Sequence, residues 1–294
     1  LPPHPHPHPH PHPPITISET THRLAILSSF SIPPGSRVLE IGCGQGDSTI
    51  VLASLVGPSG HIDAYDPGSP DYGSPFTLGQ SQAFIKAGAL GSRIDFHRTM
   101  PMPKSDTNEN GDREYDYDFV VLSHCIYYFS SPAILPALLN NLPKCRILCV
   151  AEWSLHASTP SQLPHVLTAL LLSLLESKRV VESTGNIRTV LSPAQISGMV
   201  RGTGVWVMEN EGESSGSGGG GGELKVTGEG LKHAYWEIRD LMAKKERVLA
   251  GEGMRLLEAE RTVVGAMFDA IEQGVQQLGG VEGGEVYGCV GRAV

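Results

Sequence analysis

Residues 38–47, Val-Leu-Glu-Ile-Gly-Cys-Gly-Gln-Gly-Asp, constrain this chain more than any other stretch. An apolar strand over Arg37–Ile41 runs into three glycines on alternate positions, Gly42, Gly44 and Gly46, and a helix opens at about Asp47. Glycines so spaced let the backbone bend sharply and let a ligand lie against it with no Cβ in the way. The helix that follows aims its free N–H groups into the same space. The stretch therefore reads as a nucleotide cradle, and the rest of the chain must supply the sheet around it.

That sheet is legible on either side. Residues 18–32 carry a helix signal, with Ser18 as its N-cap and Glu19 in the first turn. After the glycine turn the pattern predicts a helix to about residue 55, a turn at 57–60 and a second strand over 61–66. Asp66 ends that strand, 20 residues past Gly46, where a carboxylate can accept both hydroxyls of a ribose. A loop at 67–76, a helix over 77–89 and a third strand over 93–97 follow, then a polar surface loop at 100–115. The fourth strand, 117–123, leads into Ser123-His124-Cys125-Ile126-Tyr127-Tyr128. A helix over 132–142 and a fifth strand from Cys145 to Ala151, ending in Glu152-Trp153, complete a doubly wound parallel α/β pattern. Ligands in such sheets bind at the carboxyl ends of strands, where Asp66, His97, Ser123, His124, Glu152 and Trp153 fall.

Beyond the fifth strand the pattern predicts helices over 164–176 and 186–200 and a sixth strand over 205–209. The 164–176 helix is apolar on most sides and suits a cap over the site or a homodimer contact. Residues 212–222, GESSGSGGGGG, read as a flexible linker. Residues 231–278 hold two helical segments broken near Gly251 and Gly253, with Leu257, Val264, Phe268, Ile271 and Val275 as a core stripe. A last strand over 286–290 alternates as an antiparallel edge strand would. Residues 1–14 alternate histidine and proline and read as a disordered, solvated tail with incidental metal affinity. Residues 15–294 are expected to form one domain, with helical insertions at about 155–185 and 223–280.

Composition narrows the partners. The net charge of −9 argues against nucleic-acid phosphates and an anionic membrane surface. No apolar run reaches the roughly 18–20 residues of a membrane span, so a cytoplasmic protein is expected. The five cysteines form no CxxC pair and no metal-ligand framework, and no resident metal is expected.

With these residues in view, the chain resembles the class I S-adenosylmethionine-dependent methyltransferases. Glu40-Ile41-Gly42-Cys43-Gly44-Gln45-Gly46 matches their acidic-x-Gly-x-Gly-x-Gly signature, and the element order through about residue 153 is similar to theirs. The resemblance implies a Rossmann-like, mostly parallel seven-stranded sheet with an antiparallel last strand and helical lid insertions. It implies S-adenosyl-L-methionine as cofactor, held by Glu40, Gly42, Cys43, Gly44, Gly46, Asp66, Pro67, Thr99, Ser123 and His124. Two departures stand out: His97-Arg98-Thr99 replaces the acid often found after strand three, and about 75 residues replace the usual sixth-to-seventh hairpin.

Methyl transfer from a sulfonium is a direct displacement, so the nucleophile must be aligned and water excluded. An oxygen nucleophile often needs a base as well, and His124 is the first candidate, with Glu152 to orient it or an amine. Tyr127, Tyr128 and Trp153 are candidates for an aromatic pocket wall, and His156 and His165 are expected at the surface. No Asn/Asp-Pro-Pro-Tyr sequence follows strand four, which together with the acidic charge favours a small-molecule acceptor, with a likeness to fungal enzymes of secondary metabolism. Two other classes fit the same glycine turn: a methyltransferase-like fold that binds the cofactor for other chemistry, and a non-catalytic regulatory binding module.

Overall fold

A computed structural model of the chain describes residues 13–100, 115–157, 159–181, 183, 185–208, 232–277 and 286–293. The loop expected at 100–115 and the linker at 212–222 fall almost wholly outside them, as do residues 1–12 of the tail. The chain divides into two compact units. The first comprises Leu1–Ser123 and Leu142–Val150, and the second His124–Asn141 and Ala151–Arg292.

The first unit holds helices α1 (Pro13–Ser29), α2 (Asp47–Leu55) and α3 (Leu78–Ala87) and strands β1 (Arg37–Ile41), β2 (His61–Tyr65), β3 (Ile94–His97), β4 (Tyr117–Ser123) and the start of β5 (Cys145–Trp153). The strands order as β3-β2-β1-β4-β5. β1 pairs in parallel with β2, Val38 beside Ile62, and with β4, Val38 beside Phe119; β2 pairs in parallel with β3, Asp63 beside Asp95. At the start of β5, the Lys144 carbonyl accepts from the Asp116 and Tyr117 amides that open β4. Val38, Leu39 and Val120–Leu122 are buried, as near-continuous apolar runs in central parallel strands should be, whereas β2 and β3 alternate, with Ile62, Ala64 and Ile94 buried on one face and His61, Asp63, Asp95 and His97 on the other. The pairings bring Ile41, Tyr65, His97 and Ser123 to one edge, the carboxyl edge on which this strand order places ligands.

Helix α1 starts at Pro13 rather than at Ser18. Proline lacks only an N–H that the first turn would not use, so Pro13-Pro14 opens a helix instead of closing the tail, and Ser18 is not its cap. Arg23 of α1 reaches Asp47 in the first turn of α2, 3.5 Å away, so α1 leans on the helix behind the glycine turn. Thr77 caps α3 in a reciprocal box with Gln80. The third strand begins at Ile94, because Gly91–Arg93 forms a 3-10 turn.

The second unit holds α4 (Ile134–Asn140), the end of β5, α5 (Leu163–Ser177), α6 (Pro193–Gly202), β6 (Trp206–Met208), α7 (Lys232–Ala243), α8 (Lys245–Ala250), α9 (Glu258–Gln277) and β7 (Val286–Ala293). Strand order here runs β5-β7-β6. The helix expected from residue 186 starts only at Pro193. Ser192 sits in extended conformation and caps it in a box with Gln195, and a residue before proline is steered out of the helical region. The 231–278 segment breaks at Gly251 and Gly253 as expected, and also at Lys244, giving three helices. Gly251 ends α8 at φ 80, and a Cβ there would lie 2.6 Å from the Arg261 guanidinium. Val264, Phe268 and Ile271 of the apolar stripe are buried against Leu171, Leu175, Ile238 and Leu241. Leu257 is the exception: it precedes α9 and is exposed.

Candidate functional site

The glycine turn is built from the sheet side. The Gly42 and Cys43 amides both donate to the Tyr65 carbonyl at the end of β2, at 2.8 and 3.2 Å. Gly42, Gly44 and Gly46 all take left-handed backbone angles, φ 73, 53 and 96, which L-residues with a Cβ adopt only at a cost. Gly46 caps α2 without a side-chain hydrogen bond, so no cap side chain competes for the first amides of that helix.

Asp66 holds the middle of the turn. Its Oδ2 accepts from the Gly44 amide at 2.9 Å and its Oδ1 from the Gly68 amide at 2.7 Å. Gln82 of α3 donates to the Gly44 carbonyl at 2.8 Å. Both peptide groups of Gly44 are therefore fixed, yet a Cβ built on Gly44 meets nothing within 4 Å. The result is a rigid backbone ledge facing open space. The carboxylate keeps lone pairs beyond the two it commits, enough to accept from further hydroxyls. Gln82 carried no motif, and only its contact reveals it.

The other residues expected around the cofactor fall into three groups. Cys43 is buried in the turn, and Pro67 and Thr99 are exposed beyond β2 and β3, with the Pro67 carbonyl accepting from Arg98. Ser123 closes β4 with a buried Oγ that finds no partner among the described residues. Glu40 lies beneath the turn, accepting from the buried Thr49 hydroxyl at 2.5 Å. Burial pushes its carboxyl from 4.5 up to about 7, against the pull of the Thr49 hydrogen bond. Glu40 thus supports the turn through Thr49.

The residues expected around the acceptor lie in the second unit. His124 follows β4 with φ 53, one of two left-handed non-glycine residues among those described. Such strain in a side-chain-bearing residue marks functional sites more often than ordinary turns. Glu152 is buried and caged by backbone amides: Oε2 accepts from Ile126 at 2.9 Å and Tyr127 at 3.3 Å, and Oε1 from Trp153 at 2.9 Å. That same Oε1 lies 3.5 Å from His124 Nδ1. A fixed carboxylate behind an imidazole is the arrangement that orients a base. The His124 and Trp153 rings approach to 4.7 Å at 40°.

The tyrosines do not wall a pocket together. Tyr127 is buried in a core cluster with Ala169 and Ile187, and its hydroxyl donates to the Trp153 carbonyl at 2.8 Å. Burial first, then the nearby Glu152 and Glu237 carboxylates, raise its phenol above the ordinary range. Tyr128 is exposed. His165, expected at the surface, is buried: its ring meets Trp153 edge-on at 4.9 Å and its Nε2 lies 3.4 Å from Glu237 Oε2. Neither atom finds a hydrogen bond among the described residues. Glu237 was not foreseen, and no local signal links it to a histidine 72 positions earlier.

The residues of the first unit fit the cofactor that the glycine signature implies: an open ledge at Gly44, a carboxylate with spare acceptor capacity at Asp66, and a buried hydroxyl at Ser123 with no partner among the described residues. Fold and turn together define a Rossmann-like nucleotide-binding α/β protein. A family model described as a methyltransferase domain matches residues 16–169. Methyltransferase phomM of Diaporthe leptostromiformis is 33% identical over 162 residues, covering 49% of this chain and 42% of the relative. The match thus spans about two fifths of the length of that curated relative. A cyclopropane-fatty-acyl-phospholipid synthase-like protein from Lactobacillus casei ATCC 334 superposes with a TM-score of 0.75 at 30% identity, covering 95% of this chain and 92% of that one. The YcgJ protein of Bacillus subtilis shares the fold, with a TM-score of 0.50 at 10% identity over 93% of this chain and 97% of that one. The chain belongs to the methyltransferase-domain family, within the class I S-adenosylmethionine-dependent methyltransferases. Among the described residues no helix is long and apolar enough to cross a membrane.

The raised Glu40 carboxyl has a stability consequence. The folded chain keeps a proton that the unfolded chain releases between 4.5 and about 7, so stability falls as pH rises through that window. Glu40→Gln removes the titration. Relative to the parent it should gain about 3 kcal/mol between about pH 4 and about pH 8, read by urea denaturation. Parallel pH profiles for the two proteins would contradict this origin.

Proposed function

We propose that the chain transfers a methyl group from S-adenosyl-L-methionine to a small-molecule acceptor, at oxygen or nitrogen, in secondary metabolism. The observation that carries this reading is the Gly44 ledge with the Asp66 carboxylate bonded to it. When bound, the cofactor supplies an electrophilic methyl group on sulfonium sulfur. The chain's own residues then have separate tasks. Asp66 and the Gly44 backbone hold the nucleoside part, and Ser123 offers a hydroxyl to it. His124, backed by Glu152, takes the acceptor's proton, and Trp153 flanks the His124 ring. The acidic net charge supports a small molecule over nucleic acid. The strand order β5-β7-β6 supports reading β7 as the last strand of a seven-stranded sheet, inserted between β5 and β6, and the alternation of residues 286–290 supports reading it as antiparallel.

A second reading comes from the Lactobacillus casei protein, whose name points to acyl chains and whose likeness extends over 95% of this chain. It would make the acceptor a lipid carbon, and the proton lost from that carbon would again fall to His124 and Glu152. Product analysis separates the readings. Incubation with a metabolite extract should yield S-adenosylhomocysteine and a methylated small molecule, whereas release only with acyl phospholipid favours the second. Cofactor binding with no such release from any acceptor favours a protein that uses the fold for other chemistry or for regulation.

Two substitutions test the assigned roles. Asp66→Ala should weaken cofactor binding by about 1–3 kcal/mol, the scale of a lost charged hydrogen-bond partner; an unchanged dissociation constant in calorimetry would sink the assignment. His124→Ala should lower turnover by about 10²–10⁴-fold, as loss of a general base does, while affinity for the cofactor changes little. Equal loss of both would make His124 a binding residue.

A further inference from the structure

We propose that the open face of β2 and β3 carries a zinc-class metal site made of His61, Asp63, Asp95 and His97. Side chains alternate along a strand, so His61 and Asp63 share one face of β2 while Asp95 and His97 share one face of β3. The register sets Asp63 beside Asp95 and Tyr65 beside His97, which puts all four on the same side. Asp63 Oδ1 lies 2.7 Å from His97 Nε2 and 3.8 Å from His61 Nε2. His61 Nε2 lies 3.2 Å from Asp95 Oδ2. The donor atoms of His61, Asp63 and Asp95 all fall within 4.8 Å of one another. Ligands on a tetrahedral zinc ion, at bonds of about 2.0–2.1 Å, stand about 3.3 Å apart, so small side-chain adjustments suffice for these three, while His97, bonded to Asp63 Oδ1, must turn in to serve as the fourth.

The carboxylates are oriented from behind. Arg37 Nη2 takes the far oxygen of Asp63 at 3.4 Å, and Lys86 Nζ takes the far oxygen of Asp95 at 2.7 Å. Each cation occupies the oxygen that faces away from the histidines and leaves the other, Asp63 Oδ1 or Asp95 Oδ2, turned toward them. Outer partners that fix ligand orientation in this way are a regular part of metal sites. Asp63 is buried while both histidines are half-buried, so the site has a firm base and an open mouth.

The donor set selects the ion. Two imidazoles with two carboxylates suit zinc, nickel or copper, whereas magnesium and calcium seek all-oxygen shells. Both histidines must be neutral to bind, so binding releases whatever protons they carry. A bound ion would cross-link β2 to β3, the edge strand of the sheet. The His97 carbonyl accepts from the Asp66 amide at 3.0 Å, so the same cross-link steadies the strand end that carries Asp66.

The tail histidines, His4, His6, His8, His10 and His12, bind the same ions and must be silenced first. The test uses the full chain with those five changed to glutamine, titrated with ZnCl2 by calorimetry, with CoCl2 absorption read in parallel. We expect one zinc ion per chain, a tetrahedral-type cobalt band, and no heat with MgCl2. Adding His61→Ala, or separately Asp95→Asn, should weaken zinc binding at least about tenfold, a loss of about 1.4 kcal/mol. Circular dichroism of each variant without metal reports that the fold is kept, and Asp95→Asn, nearly isosteric and half-exposed, serves if His61→Ala unfolds. No zinc binding by the tail-silenced chain, or full binding in the folded variants, overturns the proposal.

Discussion

One carboxylate carries the organisation of the first unit. Asp66 receives the amides of Gly44 and Gly68 on its two oxygens, and so joins the glycine turn after β1 to the strand end of β2. Charge-assisted hydrogen bonds of this kind are stronger than neutral ones, and here they replace the side-chain packing that three glycines cannot provide. The Tyr65 carbonyl adds two more bonds from the same turn, and Gln82 fixes the Gly44 carbonyl. A backbone with no Cβ is thus held in one of the several conformations open to glycine. The family signature is often described by its glycines; here those glycines depend on a residue 20 or more positions away.

The second unit solves a different problem. His124 stands in a left-handed conformation that few residues with a Cβ adopt, and Glu152 is buried beside it. Three backbone amides from Ile126, Tyr127 and Trp153 converge on Glu152. The carboxylate is satisfied and stationary, and the turn that bears His124 is pinned through it. The Arg188 and Thr189 amides both donate to the Tyr127 carbonyl, so the segment before α6 braces the same turn. His165 packs edge-on against Trp153, and its two ring nitrogens and Glu237 Oε2 are buried with no hydrogen-bond partner among the described residues. Buried polar atoms of that kind are costly to the folded state.

What could be read from the sequence was what local pattern controls. β1, the glycine turn, α2 and Asp66 follow from spacing; β4 and β5 follow from apolar runs, because burial on both faces leaves little choice of residue, and β2 follows from alternation. The helix expected from residue 186 begins seven residues later, at Pro193, since an extended approach to a proline leaves no periodicity of its own. Leu257 was assigned to the core by its step from Val264, but the helix that would bury it starts one residue later. The strain at His124 and the burial of His165 had no signal, because both arise from contacts between segments far apart in the chain. Asp66 is expected from its spacing to bind a ribose, whereas its bonds to the Gly44 and Gly68 amides, which tie the turn to β2, are contacts that spacing does not disclose.

The central claim is that the backbone at Gly44 is a cofactor ledge. Gly44 and Gly57 provide a matched pair, since both are left-handed, at φ 53 and 68, and a Cβ on either meets nothing within 4 Å. Alanine at each position bears similar backbone strain, but only Gly44 lies on the proposed ledge. Calorimetric titration of S-adenosyl-L-methionine into Gly44→Ala, Gly57→Ala and the parent chain tests the claim directly. The account predicts that Gly44→Ala loses at least about tenfold in affinity, or about 1.4 kcal/mol, while Gly57→Ala binds as the parent does. Equal affinity in all three proteins, or no binding by the parent, would contradict it.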